Sequence, residues 1–175
     1  VSLSQLSGVL IDGGFSLLLS FGLPVMFVLF VLKGAIIGKI LPTSIFLPGY
    51  ILAISTSLRT IVLAIAIAAA GYVCGQLLVY AIARQYGLEV VRSVPWLTIT
   101  DEQLKRADGL FDRYGGQGVF VTNLVPYLGS FLCIPAGSTS YPVGRLTAYA
   151  LSSTLINYVF VVTVVVGSVE VLTPL

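Results

Sequence analysis

Charged side chains are absent from four long stretches of this chain, and the shape of each stretch predicts an element. From Gly13 to Leu32 the sequence reads GGFSLLLSFGLPVMFVLFVL, 20 residues without a charge. As a helix this crosses about 30 Å of hydrocarbon. Residues 13–32 are therefore expected to form a first transmembrane helix, kinked where Pro24 removes a backbone hydrogen bond. Residues 60–83 are uncharged over 24 positions, about 36 Å as a helix and enough to span with some tilt. Residues 146–169 make a third span, with Asn157 near its middle.

Two further apolar segments are too broken to cross. Residues 33–58 carry Pro42, Pro48 and Gly49 with Lys39 embedded, and about nine residues lie on either side of the break, half of what a span needs. Residues 118–141 are uncharged but punctuated by Pro126, Gly129, Pro135 and Gly137. Each reads as a re-entrant hairpin that leaves the bilayer on the side it entered; the alternative for the first is one kinked transmembrane helix. The pattern Gly71-x-x-x-Gly75 puts two positions without side chains on one helix face, which allows a neighbouring helix to come close. Gly34-x-x-x-Gly38 carries the same signal.

Between these segments, residues 84–117 are polar. Thr100 with Gln103 three positions on reads as a capping box, and Asp101 and Glu102 suit a helix N-terminus. Leu104, Ala107, Phe111 and Tyr114 recur at helical spacing before Gly115-Gly116 stops the helix. The expected element is an amphipathic helix on the membrane surface. The fold class is then all-α and integral to the membrane. It has about three transmembrane helices, two opposed re-entrant hairpins in an inverted repeat, and the surface helix.

Composition supports this class and removes others. Hydrophobic residues make up 57% and charged residues 9% of the 175, against about 25% charged in average soluble domains. That excludes an ordinary soluble domain, a disordered segment and a nucleic-acid binder with its basic stripe. Nine basic and seven acidic residues nearly cancel, and ten of them fall in 84–113. Arg84, Arg92, Lys105, Arg106, Arg113 and Arg145 lie on one side of the expected topology, and Lys33, Lys39 and Arg59 on the other. The positive-inside rule makes the first side, with 84–117, cytoplasmic. There is no histidine, no paired carboxylate at membrane depth and no nucleotide-binding glycine loop, so neither catalysis nor a cofactor is expected. Cys74 and Cys133 read as small hydrophobes rather than a disulfide or metal pair. The chain starts at Val1, which is expected of a trimmed or processed sequence.

Four motifs resemble those of the DedA family, also called SNARE-associated or VTT-domain membrane proteins. Phe46-Leu-Pro-Gly49 resembles the family's Pro-Gly-Asp/Glu turn. Gly75-Gln-Leu-Leu-Val-Tyr80-Ala-Ile-Ala-Arg84-Gln-Tyr-Gly87 is similar to G-D-x-x-x-Y-x-I-G-R-x-x-G. Phe111-Asp-Arg-Tyr-Gly115 is like F-x-x-x-G, and Asn123 to Gly137 resembles R-F-x-P-x-x-R-x-x-x-x-x-x-A-G. The likeness covers about residues 33–165. It implies lipid passage across a prokaryotic plasma membrane, with polyprenyl phosphate or phospholipid as cargo. In family members, by this resemblance, membrane acids couple to protons and hairpin arginines hold a phosphate; a further C-terminal span is common.

Here the charged positions are replaced: Tyr50 follows Pro-Gly, Gly38 stands at the hairpin acid, Gln76 follows the glycine, and Asn123 and Gly129 stand for the arginines. The candidate lipid-phosphate residues are therefore Lys39, Pro48, Gly49, Arg84, Asn123, Pro126, Gly129, Ser130 and Gly137. Asn123 and Ser130 would donate hydrogen bonds, Lys39 would supply charge, and free backbone N–H groups of half-helices would complete an anion site. Against these stand plainer roles: snorkelling for Lys39, a positive-inside anchor for Arg84 and an interhelical hydrogen bond for Asn157. The expected activity is flippase- or scramblase-type passage without proton coupling. The alternatives are an ion or small-solute transporter and a non-transporting scaffold. Membrane lipids are the expected partners and nucleic acid is not; self-association is left open.

Overall fold

A computed structural model describes residues 3–35, 45–54, 57–93, 100–124 and 129–172. All regular structure among them is helical. In chain order the helices are α1 (Leu3–Phe21), α2 (Leu23–Gly34), α3 (Phe46–Ile54), α4 (Leu58–Ser93), α5 (Asp101–Tyr114), α6 (Gly116–Leu124), α7 (Cys133–Ser138) and α8 (Val143–Leu172), with a 3-10 turn over Gly129–Leu132 before α7. Two of these, over Leu58–Gly87 and Val143–Ser168, are long and apolar enough to cross a bilayer. Large apolar side chains stand exposed along both, among them Val62, Leu63, Leu78, Ile156, Phe160 and Val164. Such a surface suits lipid and would be a liability in water.

The first apolar run is divided where the sequence suggested only a bend. The division falls at Gly22, not at Pro24: Gly22 has φ +64, a conformation that glycine adopts without steric cost. Pro24 lies in the first turn of α2, where its missing N–H would have had no partner anyway. Pro48 and Gly49 also sit inside a helix, in the first turns of α3, so they do not form the expected break. Residues 36–44, with Gly38 and Lys39, lie outside the described residues.

The long helix α4 is the axis of the fold. Along it α2 packs most closely, because Gly34 meets Gly75 and Gly71 meets the Phe27 backbone one turn earlier, with no side chain between the helices. A Cβ on Gly34 would overlap the Tyr72 carbonyl oxygen, and one on Gly75 would overlap the Val31 carbonyl oxygen and lie 2.7 Å from the Ala35 nitrogen. At the other end of α4, Gly137 of α7 lies against Tyr80, Ala83 and Arg84 in the same manner. Small residues at crossings are the general means by which helices approach in a membrane.

Two apolar cores result. One gathers Leu18, Met26, Phe30, Phe46, Leu47 and Tyr50 around the N-terminal half of α4 and the C-terminal half of α8. The other gathers Leu104, Phe111, Val119, Leu132, Ile134 and Leu146 around the opposite halves. The surface helix belongs to this second core. Leu104, Ala107 and Phe111 are buried, and the Phe111 ring meets Tyr141 edge-on at 5.5 Å. The apolar face of α5 is thus covered by protein rather than by lipid, while Tyr114, the fourth residue of its spacing, is exposed. Cys133 is buried as expected but Cys74 is exposed, and both are free.

If the α2–α4 contact holds the fold, Gly75→Ala should lower stability by about 1–3 kcal/mol, the usual cost of overpacking. Gly167→Ala, which meets nothing within 4 Å, should be neutral or gain up to about 1 kcal/mol from helix propensity. Thermal unfolding of the two variants in detergent measures the contrast.

Candidate functional site

The close approach of α2 to α4 delivers Lys33 to a junction of three helices. Its ammonium lies 5.3 Å from the Phe30 ring centre on α2, 5.4 Å from Tyr72 on α4 and 5.3 Å from Tyr158 on α8. Those distances are within cation–π range, worth about 0.5–2 kcal/mol per ring depending on desolvation. Among the described residues no carboxylate pairs with it. Rings are a weak substitute for a counter-ion, so this is a cation held in place but not neutralised.

Beside Lys33 is a cavity of about 30 Å³ lined also by Phe30, Leu47, Pro48, Asn157 and Tyr158, room for about one water. Pro48 thus reaches the site from α3. Asn157 reaches it from α8, and its amide nitrogen donates to the carbonyl oxygens of Asn123 at 3.3 Å and Leu124 at 3.2 Å. These carbonyls close α6, where a helix leaves acceptors unsatisfied. Asn157 therefore does make an interhelical hydrogen bond, and that bond also ties the end of α6 to the cavity wall.

A line of buried hydrogen bonds continues from there between the two cores. Ser153 gives its proton to the Tyr149 carbonyl at 2.7 Å, so its oxygen accepts from Asn123 Nδ2 at 3.1 Å. That fixes Asn123 Oδ1 toward Gln76, whose Nε2 donates to it at 2.8 Å. Gln76 and Asn123 are both buried. On the next turn of α4, the Tyr72 hydroxyl accepts from Ser130 Oγ at 3.2 Å.

The sequence-derived candidates divide accordingly. Asn123 and Ser130 lie in this polar layer, and Pro48 lines the cavity. Gly49 packs on the Phe15 ring and Gly137 on the α4 backbone, which is packing rather than binding geometry. Gly129 opens the 3-10 turn. Arg84 is remote: it bonds the Tyr80 hydroxyl at 3.1 Å, and that hydroxyl donates to the Tyr141 carbonyl at 2.6 Å, at the far end of α4. Lys39 and Pro126 lie outside the described residues. Lys33, Tyr72 and Tyr158 are additions that the structure makes to the candidates. Their signal in the sequence is spacing: Phe30 and Lys33 are one turn apart on an apolar helix, as are Tyr72 and Gln76, and Thr154 and Tyr158.

The family profile of the VTT domain matches residues 23–167. The chain belongs to the VTT-domain, or DedA, family. Among characterised proteins it is similar to undecaprenyl phosphate transporter A of Staphylococcus aureus (strain NCTC 8325 / PS 47), at 29% identity over 142 residues, covering 78% of this chain and 68% of that protein. No solved structure matches. Within the VTT-domain frame the geometry explains one departure of this chain. Gln76 and Asn123, which stand where the motifs place an Asp and an Arg, face each other in a single hydrogen bond. The two meet as a neutral pair, which leaves no lone charge stranded in a dry interior.

The pair should behave as a unit. Gln76→Leu and Asn123→Leu are each expected to cost about 1–3 kcal/mol through the polar atom left behind. The double variant should cost less than the two together, with a coupling of about 0.5–3 kcal/mol read from denaturant unfolding in micelles.

Proposed function

We propose that this VTT-domain protein lets a phosphate-bearing lipid, such as a polyprenyl phosphate or a phospholipid, cross a prokaryotic plasma membrane by a flippase- or scramblase-type route. The observation that carries this reading is Lys33: a cation without a counter-ion among the described residues, held at the edge of a cavity at the junction of α2, α4 and α8. Ionisable groups at such places are costly and are kept for function. A phosphate oxygen on the ammonium gives a charge-assisted hydrogen bond of about 1.5–3 kcal/mol, enough to compete with a ring contact. The undecaprenyl phosphate named for the relative has a headgroup of this chemistry.

In this reading the segments 33–58 and 118–141 are re-entrant hairpins entering from opposite faces, and the headgroup passes where they meet. Asn157 serves both, lining the cavity and holding the end of α6. The 84–117 segment lies on the cytoplasmic side. Passage is downhill and not proton-coupled, since Gln76 and Asn123 do not titrate. The protein carries out no chemical step, and its partners are lipids; self-association is not required.

Reconstitution in liposomes with a labelled lipid phosphate tests the proposal. Lys33→Gln should lower the rate of lipid movement by about tenfold, the loss of one charged hydrogen bond, while Lys33→Arg retains most of it. Lys39→Ala in the same assay shows whether the second lysine shares the role. Ion flux without lipid movement would replace the proposal with a solute transporter. Neither flux would leave a scaffold.

A further inference from the structure

Among the described residues, three buried side-chain atoms have no hydrogen-bond partner: Gln76 Oε1, Thr154 Oγ1 and the Tyr158 hydroxyl. Their residues are 1%, 1% and 7% exposed. A buried donor or acceptor left alone keeps its whole desolvation cost, and in a membrane interior no solvent relieves it. The helix register sets their residues on facing turns of α4 and α8. The Tyr72 and Tyr158 rings are 6.2 Å apart, and α4 and α8 run antiparallel, since Ala64 and Ala68 share a core with Tyr158 and Val162 while Tyr80 and Ala83 share the other with Leu146 and Ala150. Gln76 is one turn beyond Tyr72, and Thr154 is one turn beyond Tyr158 on the facing helix. The Gln76–Asn123–Ser153 hydrogen bonds cross at this level.

We infer that Gln76 Oε1 and the hydroxyls of Thr154 and Tyr158 form a second, uncharged station for the headgroup, selective for a phosphate monoester that carries one proton. The inference rests on the reading of Lys33 as the entry site and deepens it. Because Ser153 fixes the direction of the amide chain, the free end of Gln76 is an oxygen, which only accepts. A ligand there must bring a donor. A phosphodiester has no P–OH at neutral pH. A monoester retains one readily, since its second ionisation lies near 6 and a low-dielectric interior favours the less charged form. Its P–OH donates to Gln76 Oε1, and its remaining oxygens accept from Thr154 and Tyr158. Tyr158 lines the Lys33 cavity and so belongs to both stations: charge captures the headgroup, and neutral hydrogen bonds carry it inward.

Thr154→Val and Tyr158→Phe each delete a hydroxyl that donates to nothing, and the second keeps the ring over Lys33. A dry structural role predicts unfolding midpoints that hold or rise and no change in lipid selectivity. The station predicts the same midpoints with a threefold to tenfold fall (about one neutral hydrogen bond) in the ratio of monoester to diester lipid movement in liposomes. An unchanged ratio in both variants overturns it. A second measurement is independent of lipid passage. Thr154→Cys in a Cys74→Ala background is expected to react with a small hydrophilic thiol reagent, more slowly when inorganic phosphate is present. Absence of labelling, or labelling that phosphate does not slow, overturns the station. Phosphate protection in a protein that moves no lipid keeps the station and removes the lipid reading, and inorganic phosphate flux in the same vesicles then identifies free phosphate as the cargo.

Discussion

Backbone touching backbone, where Gly34 of α2 meets Gly75 of α4 and Gly71 meets Phe27, is the constraint on which the other features depend. Lipid tails are as apolar as the side chains they meet, so helices in a bilayer gain little by hiding leucines from it. Close packing must supply the attraction instead, as a sum of small dispersion terms that fade wherever a gap opens. With α2 pressed onto α4, Lys33 is near enough to Tyr72 for its charge to rest on the ring. A side chain at position 34 or 75 would push α2 away and, with it, the cation. Gly137 repeats the arrangement for α7 at the other end of α4, and between these two crossings lies the polar layer.

That layer has a logic set by the lack of charge around it. The described interior contains amides and hydroxyls where the family motifs carry acids and arginines. Neutral groups cost less to bury than ions, but they are directional, and each must find a partner of the right kind. Ser153 can offer one proton, and it goes to its own helix. From that choice the orientation of Asn123 follows, then that of Gln76, and finally the identity of the one atom left over. A charged pair would have specified far less.

Much of this is legible from the chain. The long uncharged runs at 60–83 and 146–169 correspond to the long apolar helices, and the Thr100 signal marks the start of α5 within one residue. The family resemblance rests on Tyr80, Arg84, Gly87, Pro126, Ala136 and Gly137 at matched spacing. Other features are not legible for identifiable reasons. Pro24 predicts a disturbance, but proline is harmless in a first turn, and the division at Gly22 rests on a positive φ that the residue pattern does not reveal. The α5 face reads as lipid-facing because a sequence cannot distinguish an apolar partner made of lipid from one made of Val119 and Leu132. Lys33 looks, in the sequence, like the end of a span. Its importance comes from Tyr72 and Tyr158, which are distant along the chain and adjacent only once α2 is seated.

Two apolar cores separated by a hydrogen-bonded layer also differ mechanically from one continuous core. Interdigitated side chains resist sliding, since every knob must leave its hole before entering the next. Amide and hydroxyl groups exchange one partner for another at similar length, so the packing yields most readily at the level of Gln76, Asn123 and Ser153. Because α4 and α8 run through both cores, yielding at that level takes the form of bending in these two helices, which would tilt the Lys33 end of the molecule against the Arg84 end while leaving each core intact.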